Sequence, residues 1–327
     1  MTRFILWRLV LMIPTLLLIS MISFVVIQLP PGDIVTSTLD ELLADGMEAS
    51  EEQIAALRAM YHLDAPMPVR YLRWLGGMLR GDFGYSVQHQ QPVSDLIGER
   101  IALTVVVALA SLLLTWALAL PTGILTAVKQ YSPLDYTATV LAMLGMAVPN
   151  FMLALLVMWG AFTWFGVSIG GLFSPAFVDA PWSLARVLDL LKHIWVPMVV
   201  LGVGGTAGMV RIMRANLLDE LRKPYVTTAL AKGMRYWRLV LKYPVRIAIN
   251  PFISGIGGIL PMLFSGSAIV SVVLGLPTTG PLLLDALMNQ DMYLAGSFIM
   301  ILSALSVIGV LLSDVALAAI DPRIRYD

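Results

Sequence analysis

Long apolar runs separated by short polar stretches set the plan of this chain. Six can be read, at residues 9–29, 101–128, 138–165, 194–213, 247–276 and 295–319. Each reaches the ~20 residues that carry a helix across a bilayer. The runs lack the strict alternation of a strand, and backbone groups in hydrocarbon must bond within the chain. The pattern therefore predicts an all-α membrane bundle and not a barrel. Several runs exceed the minimum and contain Pro121, Pro149 or Pro261 beside glycines, which predicts tilted or kinked helices. Pro14 and Pro197 lie nearer the ends of their runs.

Between the runs, three segments are too distinctive to be plain connectors. Residues 30–100 carry an amphipathic stretch at 51–62, with Ile54, Leu57 and Met60 on one helical face. They read as a small extracytoplasmic subdomain. Residues 166–192 combine Gly170, Gly171, Pro175 and Pro181 with an amphipathic run at 184–191, a loop with a short interfacial helix. A third segment, from Arg211 to Arg246, holds nine basic residues. The organisation expected is an N-terminal span at 1–29, a subdomain at 30–100 and a membrane core at 101–327, with a cytoplasmic loop at 214–246.

Composition agrees with the pattern: 58% of the 327 residues are hydrophobic and 13% charged, with a mean hydropathy of +0.84. The net charge of zero hides a separation by side. With the N-terminus in the cytoplasm, 14 of 21 basic residues fall inside and 15 of 21 acidic residues outside. The basic loop decides the orientation, and both termini are cytoplasmic on this reading. Arg3 and Arg8 ahead of the first run resemble a secretory signal, but the run is long and no small-x-small site follows, so it reads as an uncleaved span.

Several chemistries lose support at once. Cysteine is absent, which removes disulfides, thiolate metal ligands and thiol catalysis. His62, His89 and His193 are scattered, none with a second histidine at helical spacing, so no metal is expected. No Gly-Lys pair occurs, hence no phosphate loop of the Walker type. Asp314 is the one carboxylate inside an apolar run; it is weighed as a proton relay against a structural acid near the cytoplasmic end, and the latter is favoured because no second buried acid accompanies it. Gly202, Gly204, Gly205 and Gly208 in the fourth run, with Gly255, Gly257, Gly258 and Gly266 in the fifth, offer faces for close helix packing. Ser254, Ser265, Ser267 and Ser271 are candidates for a weakly polar translocation path, against the plainer reading of serines at helix contacts.

The basic loop is the most informative segment. From residue 219 it reads DELRKPYVTTALAKGMRYWRLVLKYPVRIAINP. Pro224 suits the first turn of a helix, residues 225–232 continue it, and Gly233 can close it in the left-handed conformation. Thr228, Ala229 and Ala231 are small enough for a facing surface to approach closely, and Lys232 places a cation where the helix dipole favours one. An ordinary basic loop on anionic headgroups is the alternative. Against it stand Tyr225, Val226, Leu230, Met234, Trp237, Leu239 and Val240, an apolar and aromatic set suited to meeting a soluble protein.

Here the chain resembles the permease subunits of bacterial ABC importers, in particular the dipeptide, oligopeptide and nickel group. Their cytoplasmic Ala-and-Gly signature is matched by Tyr225, Thr228, Ala229, Ala231, Lys232 and Gly233, followed by Arg246, Asn250 and Pro251. An ordered series supports it: FILWRL at 4–9, PGD at 31–33, LDAP at 63–66, GDFGYS at 81–86, PTG at 121–123, PNF at 149–151, RIMRANLLDEL at 211–221 and DPRIR at 321–325. The chain departs from the family at Pro224, where an acid is usual, at Leu230, where Arg is usual, and at residues 277–280, where PTTG replaces a Pro-Gly-Leu-Gly turn. The resemblance implies a six-span permease of the bacterial inner membrane without catalytic residues or a cofactor of its own. Its partners would be a second homologous permease, two cytoplasmic ATPases holding ATP and Mg, a substrate-binding protein and lipid, with no nucleic acid. Tyr225, Thr228, Ala229, Ala231, Lys232 and Gly233 would couple it to the ATPases. Di- or oligopeptides are the leading substrates, with oligosaccharides, opines and nickel chelates as alternatives. An ion-coupled carrier would predict inverted repeats and coupling-ion sites, and a membrane enzyme a convergent nucleophile and base; neither is legible.

Overall fold

The computed structural model describes residues 2–28, 50, 55, 65–86, 88–289 and 291–320, with the backbone alone at 2–5, 26–28, 256–267, 292 and 317–320. Apart from residue 55, the amphipathic stretch at 51–62 lies outside the described residues, as do the basic residues at 323 and 325; His62 is among those left out. The chain is helical: α1 (Thr2–Gln28), α2 (Met67–Leu79), a two-residue hairpin β1 (Tyr85–Ser86) and β2 (Gln91–Pro92), α3 (Val93–Val128), α4 (Pro133–Ala147), α5 (Asn150–Phe165), α6 (Leu184–His193) and α7 (Trp195–Leu221). Then come α8 (Pro224–Ala231), α9 (Tyr236–Lys242), α10 (Pro244–Ala248), α11 (Asn250–Val273), α12 (Thr279–Met288) and α13 (Met292–Ile320).

Among the described residues, Leu6–Val25, Val93–Val128, Trp195–Leu221 and Tyr293–Ala316 are long and apolar enough to cross a membrane, and α4 with α5 makes a fifth span if the bent pair is counted as one. The third apolar run thus differs from a single kinked helix: α4 and α5 meet at 96°. Val148 precedes a proline and so is pushed out of the helical region, to φ −92°, ψ 118°. Pro121, by contrast, sits inside an unbroken α3.

Two compact units result, residues 1–5, 104–277 and 308–327 in one and 6–103 with 278–307 in the other. The core of the first joins Ala119 and Ala127 of α3, Val210, Met213 and Leu217 of α7, Ala248 and Phe252. Trp116 meets Phe252 edge-on with ring centres 6.0 Å apart. In the second unit, Val93, Leu96 and Ile97 pack on Leu282, Ala286, Leu294 and Phe298. The hairpin is stitched to the same elements, since Ser86 Oγ donates to Asp291 Oδ2 at 2.5 Å and Ser297 Oγ to the Phe83 carbonyl at 3.0 Å. His89 Nε2 lies 3.1 Å from Asp285 Oδ2. On α1, Ser20 shares a 2.7 Å hydrogen bond with the Tyr71 hydroxyl, and Phe24 packs against Tyr71 and Trp74 of α2.

The loop helix α6 forms where the periodicity places it, and its amphipathicity runs in reverse. Leu184, Val187, Leu188 and Leu191 are exposed, while Arg186 and Asp189 are buried. Arg186 lies between the rings of Phe173 and Trp182, 4.6 Å from each, and donates to the Val178 carbonyl at 2.8 Å. Ser174 donates to both oxygens of Asp189, from its N–H and its hydroxyl, each at 2.7 Å. Burial alone would raise the Asp189 pKa. The Ser174 bonds, with His193 and Lys192 nearby, outweigh it and hold the carboxyl below its usual range. An outward apolar stripe on a helix that leads straight into a span is the pattern of a segment lying at the edge of a bilayer.

Candidate functional site

Beyond the last turn of α7 the chain turns sharply. Lys223, ahead of a proline, is extended at φ −75°, ψ 147°, and Pro224 opens α8 at a position whose N–H would have no helical partner in any case. Eight residues later the helix closes as the sequence implies. Gly233 takes φ +77°, its N–H donates to the Leu230 carbonyl at 2.9 Å, and the Met234 N–H donates to Ala229 at 3.2 Å. This pair of bonds is a Schellman closure, which a glycine in the left-handed region permits. The helix begins and ends one residue earlier than residues 225–232, and Lys232 is its cap.

One side chain of α8, Val226, is buried at 3% exposure and anchors the helix. Thr228, Ala231, Lys232 and Gly233 are exposed, and Tyr225 and Ala229 partly so. Thr227 and Thr228 turn their hydroxyls back onto the Pro224 carbonyl, at 2.8 and 2.9 Å, which leaves their methyl groups to define the surface. Beneath, α9 buries Leu239 and Val240 completely while exposing Tyr236, Trp237 and Leu241. The result is a small-residue ridge on a basic, aromatic-rimmed base.

Glu220 holds this arrangement to α7. Although charged, it is 6% exposed, and it pairs with Lys223 and accepts from the Tyr225 hydroxyl at 2.8 Å. A second buried carboxylate, Asp135 at the start of α4, receives Arg214 Nε at 2.7 Å and Nη2 at 2.8 Å. Neither acid was singled out by motif or period. The legible signal for Glu220 was charge sign, an acid within the basic stretch from Arg211 to Arg246; Asp135 carried no such signal.

The glycines of α7 act at packing contacts. A Cβ on Gly202 would stand 3.0 Å from Leu114 Cδ2 and 3.2 Å from the Ser111 carbonyl of α3, and one on Gly204 would fall 2.0 Å from Asn150 Oδ1 at the head of α5. Gly205 faces Thr115 at 3.4 Å, whereas Gly208 has nothing within 4 Å. Thr115 Oγ1 also donates across to the Gly202 carbonyl at 3.0 Å. From α3, Gly123 faces Met213 and Val210 in the same way.

The serines of the fifth run are not gathered into one site among the described residues. Ser254 is exposed and its carbonyl accepts from Ser313 at 3.0 Å; Ser271 is buried; Ser265 and Ser267 fall where only the backbone is described. Ser313 also donates to the Ile253 carbonyl at 2.7 Å, which fixes α13 on α11 beside the half-buried Asp314. His193 Nδ1 bonds the Asp189 carbonyl at 2.8 Å, so the two described histidines each lie against an aspartate.

A basic loop that presents a closed, small-residue helix beneath a bundle of spans is matched by a known family. The model for binding-protein-dependent transport system inner membrane components covers residues 119–326, and that for the N-terminal part of the same membrane components covers residues 1–108. The chain belongs to this family. Among its relatives, the oligopeptide transport system permease protein AppB of Bacillus subtilis is 34% identical, over 100% of both chains. The oligopeptide permease protein OppB of Escherichia coli K12 is 31% identical over 100% of both. The dipeptide permease protein DppB of the same strain is 30% identical, over 100% of this chain and 99% of its own. This family member is a multi-pass membrane permease of the ABC importer type, a transport subunit rather than an enzyme.

Proposed function

We propose that the chain is one of two channel-forming subunits of an ATP-driven importer in a bacterial inner membrane, receiving di- or oligopeptides from a binding protein. On this reading there are six spans, the four long helices, the bent pair α4 and α5, and the 24-residue α11, which keep both termini on one side of the membrane. The basic stretch from Arg211 to Arg246 then faces the cytoplasm, as topology rules favour. Residues 30–100 form an extracytoplasmic subdomain. ATP and Mg are held by partner ATPases, for the chain has no Gly-Lys pair from which a phosphate loop could be built. The observation that carries this reading is α8: an exposed helix of small residues, capped by Gly233 and tied down by Glu220, shaped for insertion into a cleft of another protein. Tyr225, Thr228, Ala229, Ala231, Lys232 and Gly233 make that contact. Ser254, Ser265, Ser267 and Ser271 are assigned to the translocation path, of which Ser271 is buried. The peptide substrate is favoured by the relatives, which are named for oligopeptide and dipeptide transport.

Purification tests it. Isolated with its partners, the chain should bring down an ATPase whose activity rises when a loaded binding protein is added, and mass spectrometry of that protein should find short peptides. Failure to co-isolate with any ATPase contradicts the importer. A sugar or a metal chelate on the binding protein overturns the peptide assignment and leaves the importer standing.

A further inference from the structure

The surface helix α8 is joined to the interior by two sets of charged contacts, both carried by the last part of α7. Tyr225 donates to Glu220 Oε2, and Lys223 pairs with Oε1 of the same carboxylate, in the last turn of α7. Nearly two turns back, Arg214 of α7 grips Asp135 with two nitrogens. Asp135 is itself fixed at the head of α4: its N–H donates to Ser132 Oγ at 3.3 Å, and its Oδ2 accepts from the Tyr131 N–H at 3.0 Å, with Tyr131 at φ +61°. Both carboxylates are more than nine-tenths buried, Asp135 at 3% and Glu220 at 6% exposure. The bidentate Arg214–Asp135 pair holds one geometry, and the Tyr225 hydroxyl with Lys223 occupies both oxygens of Glu220. Helix α4 then packs along α7 and ends at the 96° break, where Asn150 rests on Gly204 of α7.

Stiffness is therefore concentrated on the cytoplasmic side, between α8, the end of α7 and α4. At the far end of α4 the extended Val148 interrupts the helical hydrogen bonds and makes the first break in that body. A displacement applied to a rigid body appears at its first joint. We propose that Asp135, Arg214 and Glu220 are positioning residues that bind α8, α7 and α4 into one lever, delivering movement of α8 to the break at Val148 and Pro149. The proposal rests on the reading of α8 as the ATPase contact.

The test uses the complete transporter in proteoliposomes, with uptake, ATP hydrolysis and the amount of assembled complex measured on the same vesicles. Asp135→Asn and Glu220→Gln should each raise the ATP spent per substrate by roughly tenfold, a factor that corresponds to about 1.4 kcal/mol, with assembly unchanged. The exchange Asp135→Arg with Arg214→Asp should recover most of the lost coupling. Should Asp135→Asn fail to assemble, Glu220→Gln still decides, because it keeps the size of the side chain and removes only its charge. An unchanged ratio, with uptake and hydrolysis falling only in step with assembled complex, overturns the lever and leaves the ATPase contact intact. If the unaltered transporter shows no hydrolysis stimulated by the binding protein, both readings fall together.

Discussion

Valine in place of Gly123 is expected to cost the membrane most of its folded protein. A Cβ at this position would stand 2.6 Å from Met213 Cβ, 2.8 Å from its Cγ and 3.1 Å from the Val210 carbonyl. None of these can swing away as the tip of a long side chain could: a Cβ and a carbonyl are fixed to the backbone of α7, so α3 and α7 must separate. Met213 is fully buried in the same cluster as Leu217 and Phe252, so separation also loosens their packing. Overpacking of one such contact costs about 1–3 kcal/mol. In a bilayer, close approach at small residues is the main source of helix association, and the loss has no hydrophobic compensation. The melting temperature of the detergent-purified protein should fall clearly for Gly123→Val. It should hardly move for Gly208→Ala, where nothing lies within 4 Å. Equal melting of the two variants would mean that α3 and α7 do not cross at Gly123.

The second large effect concerns coupling rather than folding. Gly233→Val meets no atom within 4 Å of the new Cβ, so the penalty is confined to the backbone, held at φ +77°. A non-glycine residue there costs about 1–2 kcal/mol, and a β-branched one sits at the upper end. The chain relieves that strain by leaving the left-handed region, and the bonds from Gly233 to Leu230 and from Met234 to Ala229 then break. Helix α8 loses its end and with it the shape of its exposed ridge. Uptake should drop by roughly tenfold, the equivalent of about 1.4 kcal/mol, while the ATPases continue to hydrolyse ATP. Gly233→Asn should retain most transport, since asparagine visits this region readily. Equal transport by the valine and asparagine variants would show that the closure of α8 plays no part.

Local signals were enough to read α8: a proline that starts helices, a glycine that stops them and eight helix-compatible residues between. Contacts between distant segments were not legible in that way. Glu220 and Tyr225 meet across a turn whose angle depends on Lys223 ahead of Pro224, and Arg214 meets Asp135 from 79 positions away. The break between α4 and α5 was read as a kink, because a proline in a run says only that one hydrogen bond is missing. The outcome differs at Pro121 and Pro149: at the latter, the Asn150 side chain finds a seat on Gly204, so the tertiary contact fits the sharp turn. The glycine-rich face of α7 was visible, yet no period could tell that Gly202, Gly204 and Gly205 meet neighbours while Gly208 does not. The outward apolar stripe of α6 was visible as amphipathicity, but its direction depends on the pairing of Asp189 with Ser174, 15 residues away.

The proposed docking of α8 on an ATPase can be tested directly because the chain has no cysteine, so a single introduced thiol is unique. Thr228→Cys, carrying a thiol-anchored photo-crosslinker in the assembled transporter, should yield on illumination a covalent adduct between this chain and the ATP-hydrolysing subunit. Absence of that adduct, together with labelling of the same thiol by an impermeant reagent from the outer face of the membrane, would contradict both the contact and the orientation.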